Sequence, residues 1–308
     1  MNWNSAYIKD MVKTALEEDV GPGDVTAEAA VPERATGKAR VIAREGLVCA
    51  GLPLAEKVFC SLDPAMRTEQ RARDGERVEK GAELLRLAGS ARAILTGERI
   101  ALNFLARLSG IATMTAKLVG ELSGTRARIR DTRKTTPGLR ALEKYAVRMG
   151  GGTNHRMGLY DAILLKENHI ALAGGVKQAL DQAHAYAASH GRSQAMTAYE
   201  EPGIPQAARA AALPVQIEVR NEAELREALQ GGAESVLLDN LTPAEARRCV
   251  EIARAVRSDC VIEVSGGITL ENARSYAETG ADYLSSGMLT HSAPAANLSL
   301  LVDSIEAK

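Results

Sequence analysis

Hydrophobic and polar positions change their rhythm at about residue 125 of the chain. Before that point, apolar residues recur at helical spacing over 5–19, which predicts an amphipathic helix. Short β-like segments separated by turns follow at 39–43, 47–49 and 83–87. A helix around 54–59 interrupts them, and a long helical stretch over 91–122, broken near Ser109-Gly110, comes last. These patterns predict a small α+β domain.

Beyond residue 125, short apolar strands alternate with helices. The predicted strands are 127–131, 162–165, 215–219, 235–238, 261–264 and 282–285. The predicted helices between them are 138–149, 175–189, 222–230, 243–256 and 270–279. Short apolar strands that alternate with helices form parallel sheets with right-handed crossovers. Six such units, with a possible seventh in the poorly patterned 190–214 region, favour an α/β barrel over an open sheet.

Length and composition fit a two-domain enzyme. The chain has 308 residues, more than one domain usually holds, with 45% hydrophobic and 25% charged residues. We expect the α+β domain over 1–108 and the barrel over 109–290, with a C-terminal helix at about 295–308 packing on the first domain. No apolar run reaches the roughly 18 residues of a membrane span, and Lys9 and Asp10 stand where a signal peptide would be apolar. A cytoplasmic protein is expected.

Basic residues are concentrated in one segment, although the net charge is only −1. The near-neutral total predicts no general attraction to nucleic acid. Between Arg126 and Arg156, however, nine Lys or Arg residues occur with only two acidic residues. A solvated helical face would explain such a cluster, but the turn sequences 131–138 and 150–156 carry Arg133, Lys134 and Arg156, and basic side chains on such loops favour an anionic ligand. The four cysteines have no metal-ligand spacing, so reduced thiols are favoured over a zinc site.

Polar residues and glycines follow every predicted strand of the barrel. In an α/β barrel, functional groups lie where strands end and the following loops begin. The six strand ends lead, in chain order, into Arg133-Lys134, Lys166-Glu167-Asn168-His169, Glu218, Asp239-Asn240, Ser265-Gly266-Gly267 and Ser286-Gly287. We interpret this series as a ligand site at the carboxyl ends of the strands.

The residue types at these strand ends suit three kinds of ligand group. Glycine backbone at 265–267 and 286–287, with a helix beginning near Leu270, predicts a phosphate cradle, and plain tight turns are the alternative. Glu218 and Asp239 predict a Mg²⁺ site, because Mg²⁺ beside substrate phosphates takes one or two protein carboxylates. A pair of buried acids bonded to lysines is the alternative. The remaining cationic cluster suits carboxylates and pyrophosphate and contains Arg133, Lys134, His155, Arg156 and Lys166.

Several motifs resemble one family, in order, over nearly the whole chain. They are EEDVGPGDVT (17–26), GERIALN (97–103), DTRKTTPGLR (131–140), EKYAVR (143–148), GGGTNHR (150–156), KENHI (166–170), LDN (238–240), SGGI (265–268) and GMLTHSAP (287–294). Together, and through the specific DTRKTTPG segment above all, they resemble the quinolinate phosphoribosyltransferases.

The resemblance implies a type II phosphoribosyltransferase, with an N-terminal α+β sandwich domain on an open, TIM-like α/β barrel, assembled as a homodimer or as an assembly of dimers. It implies transfer of phosphoribosyl from phosphoribosyl pyrophosphate to quinolinate with decarboxylation, giving nicotinate mononucleotide for NAD biosynthesis, with Mg²⁺ as cofactor. The quinolinate carboxylates would be surrounded by Arg99, Arg133, His155, Arg156 and Lys166. Phosphoribosyl pyrophosphate and the metal would be held by Thr132, Lys134, Lys166, Glu218, Asp239, Ser265, Gly266, Gly267, Ser286, Gly287 and Met288. Catalysis would depend on Lys134, Lys166, Glu218 and Asp239.

Two features depart from the family pattern. Gln216 stands where the family often has a Glu, but the spacing to Asp239 keeps Glu218 as the expected functional acid. The chain between Lys166 and Glu218 is also longer than in the family. The surplus falls in 190–214, after a helix and before a strand, so we expect it at the barrel end opposite the chemistry.

Three other functions remain open on the sequence. A ModD-like homologue linked to molybdenum uptake shares the fold, although the intact DTRKTTPG and NHR motifs disfavour it. A non-catalytic barrel that binds a phosphoribosyl ligand would have no need of the pair Glu218 and Asp239. A phosphosugar isomerase or aldolase would explain the glycine loops but not the arginine cluster.

Overall fold

The computed structural model describes residues 1–190 and 213–306, and the chain divides into two compact units. The N-terminal unit contains Asn2–Ala116, Tyr145–Gly151 and the chain from Ala293 onward, and the barrel unit contains Lys117–Lys144 and Gly152–Ser292. The possible seventh strand–helix unit and the surplus segment fall almost wholly at 191–212, outside the described residues. Within the described ranges, none of the helices is both long and apolar enough to cross a membrane.

The N-terminal unit is an α+β structure, as predicted. Its helices are α1 (Ala6–Val20), α2 (Val25–Ala30), α3 (Leu52–Leu62) and most of α4 (Ala91–Glu121). Its strands are β1 (Thr36–Ala43), β2 (Leu47–Val48), β3 (Arg67–Gln70), β4 (Arg77–Val78), β5 (Glu83–Ser90) and β12 (Leu298–Glu306). One antiparallel sheet has the strand order β12-β1-β5-β3, and β2 pairs with β4. Ser5 and Asp24 begin the first two helices by accepting backbone N–H groups on their side chains.

The predicted C-terminal helix at 295–308 is wrong, because the structure has strand β12 at Leu298–Glu306. This strand runs antiparallel to β1, from Leu298 opposite Ala43 to Glu306 opposite Thr36. The apolar residues of the segment fit helical spacing as well as strand alternation, so periodicity could not separate the two. The unpaired edge of β1 decides the outcome, since it offers a row of backbone partners.

The predicted break near Ser109-Gly110 is also wrong, because α4 is continuous from Ala91 to Glu121. A Cβ on Gly110 would lie 2.0 Å from the backbone oxygen of Pro294. The Ser109 hydroxyl accepts from Ala50 N at 3.0 Å and is itself buried. The two small residues therefore permit close packing inside the N-terminal unit and do not interrupt the helix.

The barrel unit contains six parallel strands. They are β6 (Arg128–Arg130), β7 (Ile163–Leu165), β8 (Val215–Val219), β9 (Ser235–Asp239), β10 (Val261–Ser265) and β11 (Tyr283–Ser285), each within one residue of the prediction at either end. The helices after them are α5 (Arg140–Met149), which ends in the N-terminal unit, α6 (Glu167–Ala173), α7 (Val176–Ser189), α8 (Glu222–Gln230), α9 (Pro243–Val256), α10 (Ala273–Ala277) and α11 (Met288–His291). The strand order β6-β11-β10-β9-β8-β7 confirms the predicted TIM-like α/β barrel.

Strands β6 and β7 are the two edges of this sheet, and they do not pair with each other in the described part of the chain. Thr153 instead forms a parallel bridge with Arg130 on the free edge of β6. Thr153 N donates to Ile129 O at 2.9 Å, and Asp131 N donates to Thr153 O at 3.2 Å. The barrel is therefore open between β6 and β7, and we call this gap the seam.

The helix predicted at 270–279 is much shorter, with α10 covering only Ala273–Ala277. Asn272 holds the preceding loop, because its Oδ1 accepts from Thr269 N at 2.8 Å and its Nδ2 donates to Gly267 O at 2.8 Å. A side chain that bonds to the backbone of the loop before it competes with helical hydrogen bonds. The predicted helix start near Leu270 is therefore wrong, and the glycine loop is not followed directly by a helix.

Candidate active site

Asp131, the residue after β6, is a buried centre that joins two loops. Its carboxylate accepts from Lys144 Nζ, from Asn154 Nδ2 at 2.6 Å and from His155 N at 2.8 Å. Lys144 is buried too and also donates to His155 O at 3.0 Å. A buried ion pair is tolerated when its remaining atoms are hydrogen-bonded, as these are. The pair fixes the 153–156 segment beside the end of β6.

The loop that follows Asp131 is held by its own side chains. Lys134 N donates to Thr132 Oγ1 at 3.0 Å, and Arg140 Nε donates to Thr135 Oγ1 at 2.9 Å. Thr290, on α11, donates its hydroxyl to Lys134 O at 2.8 Å. The Lys134 side chain itself is exposed. The backbone of this loop is therefore held by hydrogen bonds, and the loop presents an exposed cation.

Arg133 and Arg156 come from different loops and lie close enough to repel each other. Burial, and then the positive charge of Arg133, lower the pKa of Arg156. Arg156 Nη1 donates to Ala162 O at 3.0 Å, whereas the buried Nε of Arg133 meets no acceptor among the described residues. Two guanidinium groups held together in a partly buried place suit an anion with more than one carboxylate.

His155 was predicted as part of the cationic cluster, but the structure favours a neutral ring. Burial lowers the pKa of His155, the charge of Glu263 opposes this, and the charges of Arg130, Lys144 and Arg156 act together with burial. Its Nδ1 accepts from Arg156 N at 2.7 Å, and its Nε2 lies 3.6 Å from Oε1 of the buried Glu263. Both ring nitrogens therefore face the protein.

Lys166, Glu218 and Asp239 come together at the ends of β7, β8 and β9. Lys166 Nζ donates to Glu218 Oε2 at 2.5 Å. Burial, and then the negative charge of Glu218, raise the pKa of Asp239, while Lys166, Asn240 and Lys134 act against this rise. The four residues predicted for catalysis thus share one electrostatic environment. A carboxylate whose pKa is raised partly by a neighbouring negative charge indicates a place where a cation is favourable.

The 265–267 turn is packed closely against the end of β9. Gly266 has φ +102° and Gly267 has φ +61°, which are conformations that favour glycine. Asn240, itself at φ +56°, donates its backbone N–H to Ser265 O at 2.9 Å. No atom lies within 4 Å of the Cβ position of Gly267, so its backbone is open to a ligand.

The second glycine turn leads directly into α11. Ser286 is buried, donates its hydroxyl to Ile268 O at 2.7 Å and donates its N–H to Arg130 O at 3.0 Å. A Cβ on Gly287 would lie 2.9 Å from His291 Nε2 and 3.0 Å from Lys134 Cδ. Met288 is the first residue of α11. Ser286 therefore shapes the turn through bonds inside the protein, and Gly287 faces two basic side chains.

Arg99 lies in the N-terminal unit, exposed on α4, whereas the other predicted site residues belong to the barrel unit. Sequence reasoning missed Asp131, Lys144 and Glu263 as parts of the site. All three are fully or almost fully buried. Asp131 is the first residue of the DTRK motif and Lys144 lies in the EKYAVR motif, and for Glu263 the available signal was a charged residue inside an apolar strand.

These features define an α/β barrel with a cationic ligand site and a carboxylate pair at the carboxyl ends of its strands. Residues 24–109 match the family model described as quinolinate phosphoribosyl transferase, N-terminal domain, and residues 111–201 and 203–301 match its C-terminal domain. The chain therefore belongs to the quinolinate phosphoribosyltransferase family.

Curated relatives and solved structures agree with this assignment. The chain is 42% identical to the nicotinate-nucleotide pyrophosphorylase [carboxylating] of Mycobacterium leprae, over 92% of this chain and 93% of that protein. It is 38% identical to a probable nicotinate-nucleotide pyrophosphorylase [carboxylating] of Bacillus subtilis, over 96% and 94%. The nicotinate-nucleotide pyrophosphorylase structure from Francisella tularensis superposes with a TM-score of 0.85 at 37% identity, covering 96% of both chains.

Proposed function

We propose that this chain transfers the phosphoribosyl group of phosphoribosyl pyrophosphate to the ring nitrogen of quinolinate, with decarboxylation to nicotinate mononucleotide, CO₂ and pyrophosphate. The observation that carries the proposal is the pair Arg133 and Arg156, two partly buried guanidinium groups from different loops whose positive charges repel each other. A dianion with neighbouring carboxylates would offset both charges. The printed names of the relatives, including a quinolinate phosphoribosyltransferase [decarboxylating] of Nicotiana tabacum at 36% identity, support the choice of quinolinate.

The side chains of the site suit both halves of such a reaction. The arginines would orient quinolinate so that its nitrogen faces the ribosyl carbon from which pyrophosphate departs. Lys134 and Lys166 would stabilise the negative charge that moves to the leaving pyrophosphate, and Glu218 and Asp239 would offset the positive charge on the ribosyl carbon. Once the nitrogen is bonded to carbon, the ring cation stabilises the electron pair left when the adjacent carboxylate departs as CO₂. That carbon then takes up a proton from solvent.

Glu218 and Asp239 fit a Mg²⁺ ion that arrives with the substrate. Among the described residues, no group of three or more His, Cys, Asp or Glu side chains could hold a metal. Mg²⁺ in phosphate-transferring sites takes only one or two protein carboxylates and completes its shell with phosphate and water. Burial, and then the charge of Glu218, raise the pKa of Asp239, so a cation beside the two side chains would stabilise their ionised forms. Mg²⁺ would add positive charge at the departing pyrophosphate.

The assembly and location of the protein are part of the same proposal. We infer a cytoplasmic homodimer in which Arg99 of one subunit serves the site of the other. The cysteines at 49, 60, 249 and 260 are free thiols, in keeping with a reducing compartment. The exposure of Arg99 on α4 leaves its guanidinium available to a partner subunit.

The proposal is tested by incubating the protein with carboxyl-labelled quinolinate, phosphoribosyl pyrophosphate and Mg²⁺. We expect labelled CO₂ and nicotinate mononucleotide in equal amounts, and neither product when any one component is left out. A binding protein without catalysis would release no CO₂. Release of CO₂ without nicotinate mononucleotide, or turnover that ignores Mg²⁺ and chelator, would contradict the proposal.

A further inference from the structure

Three polar side chains meet inside the barrel at one level. Arg130 on β6, Gln216 on β8 and Glu263 on β10 come from alternate strands, the arrangement in which barrel interiors fill in layers. Arg130 Nη1 donates to Glu263 Oε2 at 2.8 Å, and Gln216 Nε2 donates to the same oxygen at 3.1 Å. Glu263 is fully buried, and Ser285 Oγ donates to its Oε1. We call Arg130, Gln216 and Glu263 the interior layer.

His155 connects the interior layer to the seam. A backbone N–H can only donate, so the 2.7 Å bond from Arg156 N requires an unprotonated Nδ1 on His155. The neutral ring then carries its proton on Nε2, which lies 3.6 Å from Glu263 Oε1. One imidazole therefore lies between the buried carboxylate, toward which its Nε2 points, and the backbone N–H of Arg156, from which its Nδ1 accepts.

We propose that Glu263 is a positioning residue for the acid-binding site, because it holds the His155 ring in the Nε2–H tautomer and thereby anchors the backbone of Arg156. The proposal rests on the proposed function only in assigning Arg156 to quinolinate. Glu263 touches no substrate in this account. It acts through His155 alone, as the outer partners of metal-bound histidines fix ring orientation and tautomer.

Only a carboxylate satisfies all the groups that converge on Glu263. Arg130, Gln216 and Ser285 all donate, and His155 turns its Nε2 toward the same group. An amide of the same shape accepts at one end and donates at the other, so Glu263→Gln sets an NH₂ group against one pair of these donors. The variant therefore keeps the volume and removes the acceptor that orients His155.

The decisive measurement uses the protein without any substrate. Nitrogen NMR of the imidazoles, with His155 assigned by loss of its signals in His155→Asn, should show an unprotonated Nδ1 and a protonated Nε2 in the wild type. In Glu263→Gln this tautomer should be lost or mixed, and hydrogen exchange at the Arg156 amide should speed up by about tenfold or more. Unchanged imidazole signals and unchanged exchange in the variant would overturn the proposal.

Kinetics then separate positioning from general damage. Glu263→Gln should raise the Michaelis constant for quinolinate by about tenfold or more and that for phosphoribosyl pyrophosphate by about twofold or less. Asp282→Asn is the matched control, because Asp282 accepts from Arg126 at 2.6 Å, Arg254 at 2.7 Å and Ile262 N at 2.8 Å before β11 begins, at the other end of the strands. Asp282→Asn should lower the stability about as much as Glu263→Gln does, without a selective rise in the Michaelis constant for quinolinate. An equal rise for both substrates in Glu263→Gln would count against positioning.

A double variant guards against a folding defect. Arg130→Met with Glu263→Gln removes the buried charge pair as a unit, which restores stability more readily than removal of one partner. We expect the double variant to have a higher melting temperature than Glu263→Gln. Its Michaelis constant for quinolinate should stay high, and hydrogen exchange at the Arg156 amide should stay fast. If the melting temperature, the Michaelis constant and the exchange rate all returned to wild-type values, Glu263 would be a structural partner of Arg130 only. A wild-type protein that does not turn over quinolinate would defeat the proposed function, and the substrate-free measurements would still decide the role of Glu263.

Discussion

The Oδ1 atom of Asn240 lies 2.2 Å from the position that a Cβ would take on Gly266, and the Asn240 Cα lies only 2.9 Å away. Gly266→Ala therefore forces the two turns apart, and φ +102° adds backbone strain. Because Asn240 adjoins Asp239, we expect lower thermal stability and weaker binding of both substrates. Gly120→Ala is the matched control, since it meets nothing within 4 Å on an exposed helical face. Selective weakening of phosphoribosyl pyrophosphate alone would contradict this account.

Substitution of Gly287 tests the binding of phosphoribosyl pyrophosphate with less disturbance of the fold. Its φ of −71° accepts any residue, and the atoms a Cβ would meet belong to the flexible side chains of His291 and Lys134. Gly287→Ala should therefore leave the melting temperature nearly unchanged while raising the Michaelis constant for phosphoribosyl pyrophosphate several-fold. Steady-state kinetics with each substrate varied in turn gives the comparison. A larger effect on quinolinate would place this turn against the other substrate.

Asp239→Asn should separate activity from stability. Burial and the charge of Glu218 disfavour the ionised side chain in the folded protein, so the neutral amide removes a cost. We expect an unchanged or slightly higher melting temperature together with a loss of activity of about 100-fold or more. Thermal denaturation and turnover at saturating Mg²⁺ measure the two quantities. A clear drop in stability with retained activity would assign Asp239 a structural role.

Nicotinate should be a poor substrate in place of quinolinate. It carries one carboxylate, so the positive charge of one of the two neighbouring guanidinium groups would not be offset. A site that pairs with a group typically rejects analogues lacking it by several orders of magnitude. Competition between the two acids in one reaction gives the ratio of kcat/KM directly. Comparable turnover of both acids would overturn the assignment of Arg133 and Arg156.

Arg99 is expected to act across the proposed dimer. Inactive Arg99→Ala and inactive Lys166→Ala proteins are mixed and allowed to exchange subunits. In a trans arrangement each mixed dimer regains one complete site, and random pairing restores about a quarter of wild-type activity. Mass spectrometry of the intact dimers verifies the exchange. No recovery after verified exchange would show that Arg99 does not serve a partner's site.

The strands of the barrel were predictable because each is a short apolar run between turn residues. Their polar ends followed from the rule that barrel chemistry lies at the carboxyl ends of strands. Strand β12 was not predictable, because its form depends on the free edge of β1, which the local sequence does not describe. The helix break predicted at Ser109-Gly110 was wrong for a similar reason. These small residues are required by packing against Ala50 and Pro294, which are distant in sequence.

Buried polar contacts account for the part of the site that the sequence left hidden. Glu263 sits in a strand whose neighbours are apolar, and only the folded barrel brings it to Arg130, Gln216 and His155. The neutral state of His155 depends on the same burial. Gln216, noted in the sequence as a departure from the family, acquires a physical role as a donor to Glu263.

The seam between β6 and β7 has a consequence for how acceptor choice can evolve on this scaffold. Thr153 bridges only to β6 there, and His155 and Arg156 follow it directly. Two of the side chains proposed to bind the acid therefore lie on a segment that pairs with one strand only, whereas the proposed phosphosugar contacts at 265–267 follow β10, which pairs with a strand on each side. Substitutions or small insertions in this segment can change which acid is accepted without disrupting the sheet that carries the proposed phosphosugar contacts. We therefore expect the choice of acid to change more easily by mutation than the binding of the sugar phosphate.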